Sequence, residues 1–174
     1  MASDPTPQEK ILKRILFVSL VDGWSIVVVA VLGSLVSLAF GDLTGVFIGL
    51  LVTAAGVTEL RGRRQLQRRQ AAGMTQLVRA QLFLLTVILV YCAMRLGSFD
   101  AETAMGNLTP EMQTALTEAG VARADILPLV RMAFYLVYSV VGFVSLLFQG
   151  GLALYYRRRT AAVSEALATP PVQP

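Results

Sequence analysis

From Leu43 to Leu60 the chain is apolar and glycine-spaced, and it then passes without a break into Arg61, Arg63, Arg64, Arg68 and Arg69. A segment of this kind crosses a bilayer and stops where guanidinium groups meet water. A hydrocarbon core about 30 Å thick takes roughly 20 helical residues to span. Backbone polar groups have no water there to bond, so the span has to be a helix. This one stretch therefore sets the fold class and the direction of every other segment.

Three further apolar runs have comparable length. The pattern predicts spans over about 19–40, 43–60, 77–96 and 126–156. Hydrophobic residues make up 55% of the chain, against about 45–50% in an average soluble domain, and the excess sits in these runs. Residues 1–9 are polar, with two prolines. Ile11, Leu12, Ile15 and Leu16 then share one helical face opposite Lys10, Lys13 and Arg14, so residues 1–18 are read as a cytosolic tail and an amphipathic lead-in at the headgroups. The start lacks the charged region, short apolar core and small-residue cleavage site of a signal peptide, so the first span is expected to be retained. Gly41-Asp42 is a turn so short that the first two spans must be antiparallel neighbours. A break near Ala71-Ala72-Gly73 turns the chain back again.

The region 97–125 is the one long polar connection. Thr109-Pro110-Glu111 has the form of an N-cap, a first-turn proline and an early acid. Leu108, Met112 and Leu116 recur every four residues, and Gly120 suits a C-cap. A short amphipathic helix over 109–119 is expected. Asn107-Leu108-Thr109 matches a glycosylation sequon, a triplet that recurs by chance. Arg157-Arg158-Arg159 ends the fourth span, and 157–174 is read as a basic stop and a disordered tail.

Orientation follows from the cations. With the N-terminus inside, twelve of the fifteen Lys and Arg residues fall inside, and only Arg95, Arg123 and Arg131 fall outside. This positive-inside bias places both termini in the cytosol. The expected fold is all-α: an integral four-helix bundle of the cell membrane, multi-pass, with a short amphipathic helix in the outer loop between spans three and four.

Three groups of residues are candidates for a role. Gly45, Gly49 and Gly56 line one face of the second span, opposite a small-residue stripe of the first that includes Gly33. Small residues at this spacing let helix backbones approach, either within the hairpin or between two copies. Asp22, Glu59 and Arg79 lie at similar depth near the inner boundary. A lone charge in hydrocarbon costs at least about 2.5–3.5 kcal/mol, so each carboxylate needs a partner, and Arg79 and Arg61 are the nearest candidates by depth. Gln149 falls on the polar side of the fourth span and needs a protein neighbour. These four are candidate ion-pair or pathway residues. Arg61, Arg63, Arg64, Arg68 and Arg69 are expected to contact anionic lipid headgroups, worth about 1 kcal/mol per residue near the surface. Without interleaved aromatics the run does not suit nucleic acid.

Catalysis has little to stand on. The chain has no histidine and one cysteine, Cys92, so neither an internal disulfide framework nor a cysteine metal cluster can form. No HExxH, CxxC, G-x-S-x-G or phosphate-loop motif occurs, and no cofactor is implied. The expected function is that of an accessory or scaffold membrane protein, acting through helix packing with itself or a larger membrane partner. An oligomeric channel or small transporter with a charged inner mouth is the alternative.

Overall fold

The computed structural model describes residues 6–101, 106, 109–118, 120 and 123–168, and among these there is no strand. Among the described residues the helices α1 (Pro7–Ala39), α2 (Leu43–Gln67), α3 (Ala72–Gly97), α4 (Pro110–Glu118) and α5 (Arg123–Ala168) follow in order. α1, α2, α3 and α5 are each long and apolar enough to cross a membrane. At 1.5 Å per residue, the 46 residues of α5 extend about 69 Å, more than twice the thickness of a hydrocarbon core.

The helix starts follow from local chemistry. Thr6 and Glu9 form a capping box: the Glu9 amide donates to Thr6 Oγ1 at 3.3 Å, and the Thr6 amide donates to Glu9 Oε2 at 2.9 Å. Two otherwise orphaned donors are thereby satisfied, with Pro7 pre-set for the first turn. No glycine or proline interrupts the sequence between Pro7 and the apolar run, so the lead-in and the first span are one continuous helix. Gly41 at φ 71° ends the α1 hairpin arm, a backbone conformation that costs glycine nothing. Asp42 then caps α2 by accepting from the Gly45 amide at 3.0 Å. Thr109 Oγ1 accepts from the Met112 amide at 3.3 Å at the start of α4, and Gly120 follows at φ 67°. Asn107 and Leu108 lie outside the described residues, as does 169–174.

The chain divides into two compact units, Met1–Val87 with Leu146–Pro174, and Ile88–Ser145. In the first unit Ile15, Leu66, Met74, Leu77, Tyr156 and Val163 form a fully buried core, with Ile11, Leu12 and Leu16 packed against it. Two sequence expectations change here. The lead-in does not stand apart from the bundle, because its apolar face completes this core. The segment after Arg159, read as a disordered tail, is helical as far as Ala168. Val163 is fully buried and Ala166 nearly so, and a helix with one apolar stripe gains about 1.5–3 kcal/mol for each large side chain it takes out of water.

Elsewhere the apolar surface faces outward. Val29, Leu32, Phe40, Leu43, Leu129, Phe143 and Leu147 are all more than half exposed. Apolar side chains exposed in such number are foreign to a monomer in water.

Candidate functional site

Four side chains, one from each long helix, meet inside the first unit. Asp22 comes from α1, Glu59 from α2, Gln81 from α3 and Tyr156 from α5. Glu59, Gln81 and Tyr156 have no exposed surface, and Asp22 retains 8%. Gln81 Nε2 donates to Asp22 Oδ2 at 2.6 Å and to Glu59 Oε2 at 2.9 Å. The Tyr156 hydroxyl donates to Glu59 Oε1 at 3.0 Å. One amide thus bridges two carboxylates, and a phenol closes the second carboxylate from the other side.

Helical spacing brings these residues inward. On α3, Met74, Leu77, Gln81 and Leu84 recur at intervals of three and four, and all are buried. Gln81 is the polar member of an otherwise apolar core stripe. On α5, Gln149, Ala153, Tyr156 and Val163 repeat in the same way and are also buried. The carboxylates reach this depth because α1 and α2 pack backbone to backbone beside them. A Cβ on Gly56 would lie 3.0 Å from the Gly23 carbonyl and 2.8 Å from Val27 Cγ2, and one on Gly23 would lie 2.9 Å from Leu60 Cδ2.

The guanidinium groups expected at the same depth are not partners here. Arg61 and Arg79 are exposed, and among the described residues neither bonds to Asp22 or Glu59. Each lies two positions from a cluster residue, and two positions rotate a helical side chain by about 200°. Depth along the helix, which sequence counting gives, is similar for all of them; azimuth separates them. The signal for Gln81 was present in the sequence as a lone amide on a 3–4 apolar stripe.

The small-residue face of α2 lies against α1. A Cβ on Gly45 would collide with Ser37 and with Asp42 Oδ2, and one on Gly49 would collide with Ser34 Oγ. Gly33 has open space around it; Ser34, its neighbour, makes the contact. A second close approach joins α2 to α3, where a Cβ on Gly73 would lie 2.5 Å from the Gly62 carbonyl.

The arginine run divides. Arg61, Arg64 and Arg68 are exposed. Arg63 Nε donates to the Leu16 carbonyl at 3.0 Å, and its Nη1 donates to Gln67 at 3.3 Å. Arg69 reaches the far end of the chain: Nη2 donates to the Ala166 carbonyl at 3.2 Å and to the Leu167 carbonyl at 3.0 Å, and Nε also donates to Leu167 at 3.3 Å. The last carbonyls of a helix have no intrahelical donors, and a cation there also meets the negative end of the helix dipole.

Gln149 is 9% exposed, and its Oε1 has no partner; the same holds for Oε1 of the fully buried Gln81.

The second unit holds a different assembly. Tyr91, Phe99, Phe134, Tyr135 and Tyr138 form ring contacts with centroids 4.7–6.0 Å apart. Arg131 lies 5.8 Å from the Phe99 ring and 5.9 Å from that of Tyr135, and Arg95 lies 5.3 Å from Tyr91. Arg131, Phe99, Pro128 and Tyr135 line an open cleft of about 580 Å³. Cys92 is buried beside the Gly142 backbone. On α4 the Glu111 carboxyl is held below its usual range by its own backbone amide and by the Thr109 hydroxyl.

Among the described residues no three His, Cys, Asp or Glu side chains gather as metal ligands. The Asp22–Gln81–Glu59–Tyr156 cluster holds acceptors, an amide and a phenol, and no activated nucleophile. It can hold helices in register and can take up positive charge. No family model, curated protein or solved structure matches the chain.

Proposed function

We propose that the chain is an integral protein of the cell membrane with four spans and both termini in the cytosol, acting as an accessory or scaffold through helix packing with itself or a larger membrane partner. α1, α2, α3 and α5 supply the spans. α4 lies in the outer loop with Met112 and Leu116 toward the bilayer or the bundle. The bias of lysine and arginine sets the orientation, and Arg61, Arg64 and Arg68 meet anionic headgroups.

One observation carries the scaffold reading. The most apolar stretch of α5 has none of its residues buried within the chain. That stretch, unlike the later part of α5 that brings Tyr156 and Val163 into the core, has most of its surface left for lipid or for another helix. The test is purification in mild detergent followed by cross-linking. Single cysteines are placed at Val137 and Val144, both more than half exposed, in a Cys92→Ser background. Specific cross-links to a second copy or to one co-purifying membrane protein support the reading. A monomer without cross-links sinks it.

The buried acids favour transport as the second reading, since ionisable groups inside a membrane mark ion and proton pathways. Ion flux in liposomes that disappears on Asp22→Asn would place it first.

A further inference from the structure

We propose that Asp22, Glu59, Gln81 and Tyr156 form a binding site for one compact monovalent cation, either a proton or an alkali-metal ion such as Na⁺. The site would exist whether the protein is a scaffold or a transporter.

Asp22 Oδ2 and Glu59 Oε2 accept from the same Gln81 nitrogen, so the two oxygens are no farther apart than those two hydrogen bonds together. Every helix around them has a group facing in. α1 gives Asp22, with the buried Ser19 hydroxyl committed to the Leu16 carbonyl at 3.4 Å. α2 gives Glu59, α3 gives Gln81, and α5 gives Tyr156. None of these is cationic. Arg61 and Arg79 face outward, and Arg63 is engaged with Leu16 and Gln67. Two ionised carboxylates in one enclosed site repel each other, and burying uncompensated charge is among the costliest things a protein can do. One added positive charge removes most of that penalty.

The second observation is independent of charge. Gln81 is fully buried and its Oε1 has no partner, although buried acceptors are almost always satisfied. This oxygen shares a planar carboxamide with the nitrogen that bridges the acids. Turning the amide over exchanges the two atoms. In the turned form, oxygens from Asp22, Glu59, Gln81 and Tyr156 converge, a hard set that suits an alkali cation. Four oxygens fall short of the six to eight that Ca²⁺ takes. In the unturned form, a proton on either carboxyl leaves a single negative charge while Nε2 keeps both of its acceptors. The orphan Oε1 of Gln149 belongs to the same face of α5 as Tyr156, two turns or about 10 Å along the axis.

The test uses the full chain in mild detergent. Its thermal unfolding midpoint is followed as Na⁺ replaces choline at constant ionic strength, and then across acidic to neutral pH in choline alone. An alkali-ion site raises the midpoint by several degrees in the first series. A proton site moves it only in the second. Either response disappears in the Asp22→Asn/Glu59→Gln variant. Because that variant can fail to fold, infrared difference spectra of the unaltered protein give a second readout. Carboxylate stretching bands that shift on Na⁺ addition identify the alkali ion; a protonated-carboxyl band at neutral pH identifies the proton. A midpoint indifferent to Na⁺ and pH, with no shifted carboxylate band and no protonated-carboxyl band, overturns the proposal. So does a response that survives in the double variant.

Discussion

The two units solve the packing of apolar helices by opposite means. In Met1–Val87 with Leu146–Pro174, glycines bring backbones together, and the space left between helices is small enough to enclose four polar groups. In Ile88–Ser145, rings fill the space, cations lie over ring faces, and a cleft stays open. Close backbone packing gives geometry that a single methyl group disturbs. Ring packing gives contacts of about 0.5–1.5 kcal/mol each and about 0.5–2 kcal/mol per cation–π pair, spread over several partners, so no single ring is decisive. The fixed polar cluster belongs with the first kind of packing, because a buried carboxylate tolerates no drift of its donors.

The sharpest way to break that contrast is to truncate one tyrosine in each unit. Tyr156→Ala should cost about 3–5 kcal/mol, as a fully buried aromatic leaves a cavity and Glu59 loses a donor. Tyr138→Ala, half-buried among several rings, should cost about 1 kcal/mol. Unfolding of both variants in mixed micelles measures the pair, and equal losses would erase the distinction. Next in size, Gly56→Leu should cost about 1–3 kcal/mol through overpacking against Val27 and the Gly23 carbonyl, while Gly33→Leu, with open space around it, should leave stability unchanged. A smaller effect is expected from Arg69→Ala: about 0.3–1 kcal/mol, read as faster amide exchange over residues 160–168 with the rest of α5 unaffected. The smallest concerns α4. The Glu111 carboxyl is held below its usual value of 4.5, so its contribution is complete above that value and is lost as pH falls through the lower, folded value. Amide exchange in α4 should quicken on acidification below about 4.5, and Glu111→Gln should remove that dependence.

Much of the architecture was legible because hydropathy and turn chemistry are local. The apolar runs mark the four long helices, Gly41-Asp42 marks the hairpin, and Thr109-Pro110 marks the start of α4. Helix ends were harder. Val163, Ala166 and Leu167 continue the apolar stripe of Tyr156 past Arg159, but a basic run reads as a stop when each segment is considered alone. The cluster was half legible. Asp22 and Glu59 stand out as acids in apolar surroundings; their partner does not. Charge complementarity points to Arg61 and Arg79, yet rotation about the helix axis puts both on the outer side. Gln81 is uncharged, and its significance depends on Met74, Leu77 and Leu84 sharing its stripe. Arg69, expected at the headgroups, could not be matched to its partners from sequence, because they lie 97 and 98 residues away.

That long-range clamp also bears on how the protein is made. The first unit is assembled from the early part of the chain and from residues beyond Leu146, so synthesis delivers Asp22, Glu59 and Gln81 well before Tyr156. Until α5 emerges, Glu59 lacks its phenol, the core lacks Val163, and Arg69 has no helix end to hold. A nascent chain therefore carries an unsealed acidic pocket through the whole translation of Ile88–Ser145. Arrival of α5 supplies the phenol, the core residue and the clamp together, so this helix, and not the first hairpin, is what seals the first unit.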